Sequence, residues 1–307
     1  DQIRYLRCCC CQQEFSERKN TALWNSKIPE AKAISVAEHL ADGCGIKSTA
    51  RLVKVDPSTV RRLNRKVGRH GQQYHDQEVQ DVVVTELQAD ERYGFAGSKQ
   101  QPSWEAELMD PASKFILAHV QGARDEKMIG SLLEDGAARL HNRHEVALFT
   151  DGLVAYRTLF PRIFGRVYYP ARQGARGPHP HARYRVPRTA AHVQFVKHQS
   201  GYRLKEVEIR YAHGSKKRIE PALHQLGYNV PNTSAIERRS GTARLLSAAQ
   251  VRTPLAFAGQ ESTKEAMGWW GMTVYTWCRQ HRSLKRRLPE PVGKKSMSKG
   301  HRLWSLV

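Results

Sequence analysis

The chain has no uninterrupted run of about 18 apolar residues, and no long helix that sets a basic face against a continuous apolar one. Helical membrane spans and membrane-surface helices are therefore excluded as the reason for its charge. Acids are scarce relative to bases: 29 Asp and Glu face 50 Lys and Arg, a formal net charge of +21. An excess of that size implies a polyanionic partner, and nucleic acid fits better than a membrane. Disulfide partners are lacking too. Four of the six cysteines are contiguous, Cys8 to Cys11, while Cys44 and Cys278 stand far apart, a poor basis for a secreted disulfide framework. A reducing compartment is expected. There is no internal repeat and no basic-then-apolar leader, and since the chain opens at Asp1 rather than Met, a further N-terminal segment is expected upstream.

What is present divides the 307 residues into several regions. Residues 1–28 are polar, carry the cysteine cluster and cannot hold much of a core. Residues 29–67 have helical grammar. Ala31, Ile34, Ala37 and Leu40 recur at near-helical spacing up to Gly43, a second helix is expected over Lys47 to Lys54, and Pro57 opens a third lined by Val60, Leu63 and Val67. Three short helices in this order describe a helix-turn-helix, whose last helix enters the DNA major groove. With the aliphatic residues turned inward, Arg61, Arg62, Asn64 and Arg65 are expected to face outward toward phosphates and base edges. The alternative is a solvated basic helix in a small bundle. Residues 68–81, rich in Gly, His and Gln, have the look of a linker.

From Val82 the pattern changes to strands. A β-branched run leads to Asp90 and Glu91, and two further strands are expected at Trp104 to Met109 and Phe115 to Val120, divided by Asp110-Pro111. A helix over Asp125 to His141 follows, then a strand over Val146 to Thr150 that runs into Asp151. Strand, strand, strand, helix, strand is the order of a ribonuclease-H-like sheet. The expected fold class is thus α/β: a ribonuclease-H-like mixed sheet with flanking helices over residues 82–260, preceded by a small all-α helix-turn-helix domain. The segment 172–230, with its candidate hairpin Ala191 to Lys197 and Leu204 to Tyr211, is expected as an insertion. Thr233 and Ser234 are N-cap types ahead of a helix carrying Glu237. Residues 261–307 are expected as a helical, Trp-rich region, whose tryptophans serve packing, and a basic tail.

In such a sheet Asp90 and Asp151 lie side by side. Adjacent carboxylates repel, and hard divalent cations relieve the repulsion. Glu237 on a facing helix would complete a ligand set for two Mg2+ or Mn2+ ions, the arrangement that catalyses in-line displacement at phosphorus. Glu91 competes with Asp90 for the ligand role, but strand alternation sends the two side chains to opposite faces, which favours Asp90. The bland alternatives are a turn at Asp151-Gly152, a solvated strand end at Asp90-Glu91, and a Glu237 that serves only its helix dipole.

The motifs Leu87-Gln88-Ala89-Asp90-Glu91, Phe149-Thr150-Asp151-Gly152-Leu153 with Tyr156, and Asn232-Thr233-Ser234-Ala235-Ile236-Glu237-Arg238 together resemble the DDE transposases of bacterial insertion sequences, the group of the small founding insertion element and its relatives. Thr253-Pro254-Leu255-Ala256-Phe257-Ala258 and Trp277 to Leu284 are similar to later segments of that family, so the resemblance covers nearly the whole chain. It implies a prokaryotic, cytoplasmic, nucleoid-associated enzyme that cleaves element ends and transfers the 3′-hydroxyl into target DNA. Its implied partners are double-stranded DNA, both terminal inverted repeats and target, and further copies of itself in a homodimer or larger assembly. Arg238 would contact DNA phosphate, or else is a helix-surface arginine. The resemblance further implies a zinc-ribbon remnant over residues 1–28: Cys8 and Cys11 have the spacing of one zinc-ribbon knuckle, a second pair is needed to hold Zn2+, and the alternative is a free or partly disordered cysteine cluster. Two departures stand out: Arg239-Ser240 where the family has a residue and then Asn, and the reduced segment Val251-Arg252-Thr253. They keep open a catalytically silent or domesticated DNA-binding protein, and a ribonuclease-H-like nuclease without strand transfer is a further alternative. The charge argument has a direct check: duplex affinity measured by anisotropy should fall steeply and log-linearly with salt, and a flat response would defeat it.

Overall fold

The computed structural model describes residues 3–171, 179–201, 203–250, 257–284, 287–292 and 295–297. In chain order it begins with a small hairpin, β1 (Tyr5–Arg7) and β2 (Glu14–Ser16), and three helices, α1 (Glu30–Ala41), α2 (Ile46–Val53) and α3 (Pro57–Glu78). Next come β3 (Glu86–Arg92), β4 (Trp104–Asp110), β5 (Phe115–Gly122), α4 (Glu126–Ala138), β6 (Ala147–Asp151) and α5 (Val154–Phe164). Two antiparallel pairs follow, β7 (Arg166–Tyr168) with β8 (Arg183–Arg185), and β9 (Ala191–Ser200) with β10 (Arg203–His213). Helices α6 (Lys216–Leu226), α7 (Ser234–Leu246) and α8 (Glu261–Thr273) precede a last short pair, β11 (Arg287–Val292) and β12 (Lys295–Met297). The chain forms two compact units, one made of 1–78, 93–104 and 241–279, the other of 79–92, 105–240 and 280–307. The Thr253-Pro254-Leu255-Ala256 stretch, Val251-Arg252-Thr253, much of the Arg172 to Pro187 loop and the end of the basic tail lie outside the described residues.

In the first unit the turns between α1, α2 and α3 have local causes. Gly43 takes a left-handed φ of +83° beyond α1, and the Cys44 N–H returns to the His39 carbonyl at 2.9 Å, which closes the last turn. Lys54 is left-handed after α2, and Asp56 accepts the Ser58 N–H at 2.7 Å to start α3 with Pro57 at its first position. The core gathers Val36, Leu40, Ala50, Val60, Leu63, Val67 and Met267. On α1 the buried stripe is Ala33, Val36 and Leu40, and Ile34 is exposed, so the helix is turned relative to the expected face. Residues 68–81 correct the expected linker: α3 continues to Glu78. Its glycines are contact positions. A Cβ added at Gly68 would lie 2.6 Å from Ala266 Cα, and Gly71 sits equally close to Thr273, so glycine lets α8 press directly on α3. Trp269 is buried and Trp270 donates its indole N–H to the Ala37 carbonyl at 2.9 Å, packing roles as expected.

The second unit is built on a six-stranded mixed sheet in the order β10-β9-β6-β3-β4-β5. β3 runs antiparallel to β4 and parallel to β6, and β6 runs parallel to β9. The segment Ala191 to Tyr211 is therefore not an insertion. Its first strand extends the sheet beside β6, because its Ala191, Val193 and Phe195 supply the apolar face that α6 covers through Ile219 and Ala222. The first strand also starts later than expected: Val82 makes only an isolated bridge with Leu140, and Asp90 lies within β3 rather than at its end. Helices flank the sheet, with α4 packed so closely that a side chain at Gly136 would overlap the Leu108 methyl. No helix among the described residues is long and apolar enough to cross a membrane.

Gly68→Val tests the close approach of α3 and α8. Because the obstacle is backbone rather than a side-chain tip, the substitution should cost about 1–3 kcal/mol or more, read as a lowered urea midpoint; an unchanged midpoint would contradict the packing.

Candidate active site

Strand alternation decides which acids meet. Gln88 is in register with Phe149 across β3 and β6, so Asp90 and Asp151, two residues further on each parallel strand, fall on the same face. Asp151 is in turn opposite Phe195 of β9, which puts Lys197 on that face one pleat further along. Glu107 of β4 is the partner of Asp90. Glu91 points the other way, toward α5.

The helix carrying Glu237 is tied to the Asp90 face at several points. Gln88 donates to the Asn232 carbonyl at 2.8 Å and accepts the Ile236 N–H at 3.0 Å, satisfying a donor that a helix start leaves unpaired. Ser240 donates to Asp90 at 3.2 Å. Arg239 donates to Glu107 at 2.8 Å, and both are buried. Glu107 also takes two bonds from Arg92, at 2.6 and 3.0 Å, while His119 lies 3.4 Å away and Glu105 pairs with Arg92 at 3.0 Å. Burial pushes the Glu107 carboxyl up, but Arg239 and Arg92 more than reverse this and hold it well below the ordinary carboxylate range. Glu105, Glu107, Arg92 and His119 were not singled out from sequence, and Arg239 stood out only as a departure from the transposase motif, not as a partner of Glu107. The sequence signal for them is the alternation of acids and bases on two neighbouring strands, Glu105 and Glu107 beside Asp90 and Arg92, which reads as a charged inward face only once the pairing of the strands is known.

Asp90 is mostly buried, and burial followed by the Asp151 charge pushes its carboxyl up, against the hydrogen bond from Ser240. Asp151 is half exposed. Its Oδ1 accepts the Leu153 N–H at 2.9 Å, the turn role of the bland alternative, and its Oδ2 lies 3.4 Å from Arg124. Glu91 receives Arg124 at 3.0 Å and the Tyr156 hydroxyl at 2.5 Å. Burial and the Asp151 charge raise it to about 7 even so. Tyr156, part of the second motif, is raised well above its ordinary value by burial and by Glu91. Glu237 is half exposed, held by Lys197 at 2.8 Å and by the Thr233 hydroxyl at 3.0 Å. The structure thus couples Asp90 with Asp151 and packs the Glu237 helix on their face, without a direct contact from Glu237 to either aspartate among the described hydrogen bonds. Among the described residues no three His, Cys, Asp or Glu side chains form a ready-made metal group.

The other expected site residues lie elsewhere. Arg61, Arg62 and Arg65 are exposed on α3. Asn64 is corrected: it is fully buried and donates to the Thr263 carbonyl at 3.2 Å, because the turn that holds Leu63 and Val67 inward carries Asn64 in with them. Arg238 is exposed. Cys8 and Cys11 flank the tip of the β1–β2 hairpin, where the Gln12 N–H bonds the Cys8 carbonyl at 2.9 Å. The backbone N–H groups of Cys11 and Cys10 lower the Cys8 thiol, an environment suited to a thiolate. No family model and no curated protein matches the chain.

Because the folded state holds a proton on Glu91 more tightly than the unfolded chain does, stability should fall as pH rises from 4.5 toward about 7 and level off above. Glu91→Gln removes that loss while keeping an acceptor for Tyr156. Chemical denaturation should show the variant gaining about 1–3 kcal/mol on the parent at pH 8 and little near pH 4; parallel pH profiles would show that Glu91 is not so perturbed.

Proposed function

We propose that the chain is a DNA transposase of the DDE type, related to those of bacterial insertion sequences, with Asp90, Asp151 and Glu237 as its catalytic acids. The observation that carries this is the register: Asp90 and Asp151 occupy neighbouring parallel strands on one face, and the helix bearing Glu237 packs on that same face. The strand order β5-β4-β3-β6-β9, with β4 antiparallel to the central β3 and β6 and β9 parallel to it, supports a ribonuclease-H-like fold. The exposed Arg61, Arg62 and Arg65 on α3 support duplex binding by the helix-turn-helix.

The residues fit divalent cations. All three are carboxylates, the donors preferred by hard ions, and Asp90 is pushed up partly by Asp151, a repulsion that bound cations would relieve. Two Mg2+ or Mn2+ ions held there would supply activation of the attacking oxygen and stabilisation of the leaving one. The chain's own part is positioning. Ser240 orients Asp90, Gln88 and Arg239 fix the helix over the sheet, and the Leu153 N–H fixes one oxygen of Asp151. Zn2+ at Cys8 and Cys11, completed by ligands from outside this hairpin, and assembly of two or more copies on paired element ends belong to the same proposal. A second reading, a catalytically silent DNA-binding relative, draws on the cations already paired with Asp151 and Glu237.

Incubated with Mn2+ or Mg2+ and duplex carrying the element ends, the protein should nick DNA and join a pre-cut 3′-hydroxyl to a target. Asp90→Ala and Asp151→Asn should reduce both products to the uncatalysed background while duplex binding persists. Full cleavage by either variant would overturn the assignment, and binding without turnover in the parent would favour the silent relative.

A further inference from the structure

Two long cationic side chains rest on the acids of the proposed site. Arg124, in the short connection between β5 and α4, sets one guanidinium nitrogen 3.0 Å from Glu91 and 3.4 Å from Asp151, and its Nε lies 3.1 Å from Glu91. Lys197 places its ammonium 2.8 Å from Glu237. Both remain partly exposed, 37% and 49%, so each can swing without unpacking a core. Neither position follows from sheet formation. Arg124 lies outside the strands, and Lys197 belongs to the exposed end of β9.

We propose that Arg124 and Lys197 are phosphate ligands of this site, parked on its carboxylates until divalent cations take those carboxylates and the DNA backbone arrives. The proposal rests on the acids being the metal ligands described above. Its physical basis is a change of sign. While the acids are bare, the field near Asp151 and Glu237 is negative, and the nearest flexible cations settle there. Hard cations on the same oxygens reverse the field, and a guanidinium or ammonium a few ångströms away is then repelled. The tethers keep both groups within reach of whatever lies on the metals, and a phosphodiester brings the anionic oxygens that suit them. Arg124 is the better placed for a bidentate grip, because Glu91, on the opposite face of β3, can hold its Nε while the fork turns outward.

Two measurements on the full chain test this. Mn2+ binding without DNA is followed by calorimetry, and binding of a duplex with a 3′-hydroxyl end is followed by anisotropy against salt with Ca2+ present. Arg124→Ala and Lys197→Ala should each bind Mn2+ at least about threefold more tightly than the parent, since a competing cation has gone. Each should also bind the duplex more weakly, with a log-log salt slope shallower by about 0.9. Arg124→Lys should keep the slope. If the parent binds Mn2+, Asp151→Asn loses it, and the alanine variants change neither Mn2+ affinity nor slope, the two cations are only structural ion pairs and the proposal falls by itself. If the parent does not bind Mn2+ at all, the metal assignment of the acids falls, and the proposal with it.

Discussion

A buried ion cluster ties α7 to the sheet of the second unit beside Asp90. Glu107 sits between Arg92 of its neighbouring strand and Arg239 of α7, all three almost wholly removed from water. Such a cluster is tolerable only when each charge is answered by a well-placed partner. The geometry here answers Glu107 with a forked pair from Arg92 and a further bond from Arg239. Its consequence is positional. The first turns of α7 cannot shift along the sheet without leaving a carboxylate or a guanidinium unpaired, a loss of about 3–5 kcal/mol. Gln88 and Ser240 add shorter-range constraints on the same helix.

The acids beside this cluster are in the opposite condition. Glu107 is overcompensated, while Asp90 and Glu91 are both pushed up by burial and by Asp151. One sheet therefore carries a carboxylate whose charged form is strongly favoured next to carboxylates whose charged form is disfavoured. The network around Glu107 fixes geometry, while Arg124 reaches Glu91 and Asp151 and Lys197 reaches Glu237. Glu107 and Asp90 are register partners on adjacent strands, so their difference comes from which side chains surround them.

Much of this was legible in the chain itself. The alternation of Asp90 and Glu91 follows from backbone geometry, and the two do go to opposite faces. The boundaries of the three N-terminal helices are local as well: Gly43, Asp56 and Pro57 act within a few residues of their own positions. The misjudged features share one cause. The Gly-, His- and Gln-rich stretch after Val67 resembles a linker only until α8 is seen packed against it, because Gly68 and Gly71 serve a partner helix about 200 residues later in the chain. Asn64 looks like a base reader until Thr263 supplies its buried acceptor. The strand Ala191–Ser200 looks like an insertion until its parallel pairing with β6 is known.

The sequence by itself determined the excess of positive charge, the strands from Trp104 to Asp151 with the helix between them, the helix that carries Glu237, and the face of β3 on which Asp90 lies. These depend on composition and on periodicities of a few residues. Only the tertiary structure decided that Asp90 and Asp151 share a face in register, that Arg239 and Glu107 anchor the helix carrying Glu237, and that Arg124 and Lys197 rest on the acids. The physical reason is range. Propensity and alternation act between neighbours along the chain, whereas burial and Coulomb interactions act between whatever residues the fold brings within a few ångströms, at any separation in sequence.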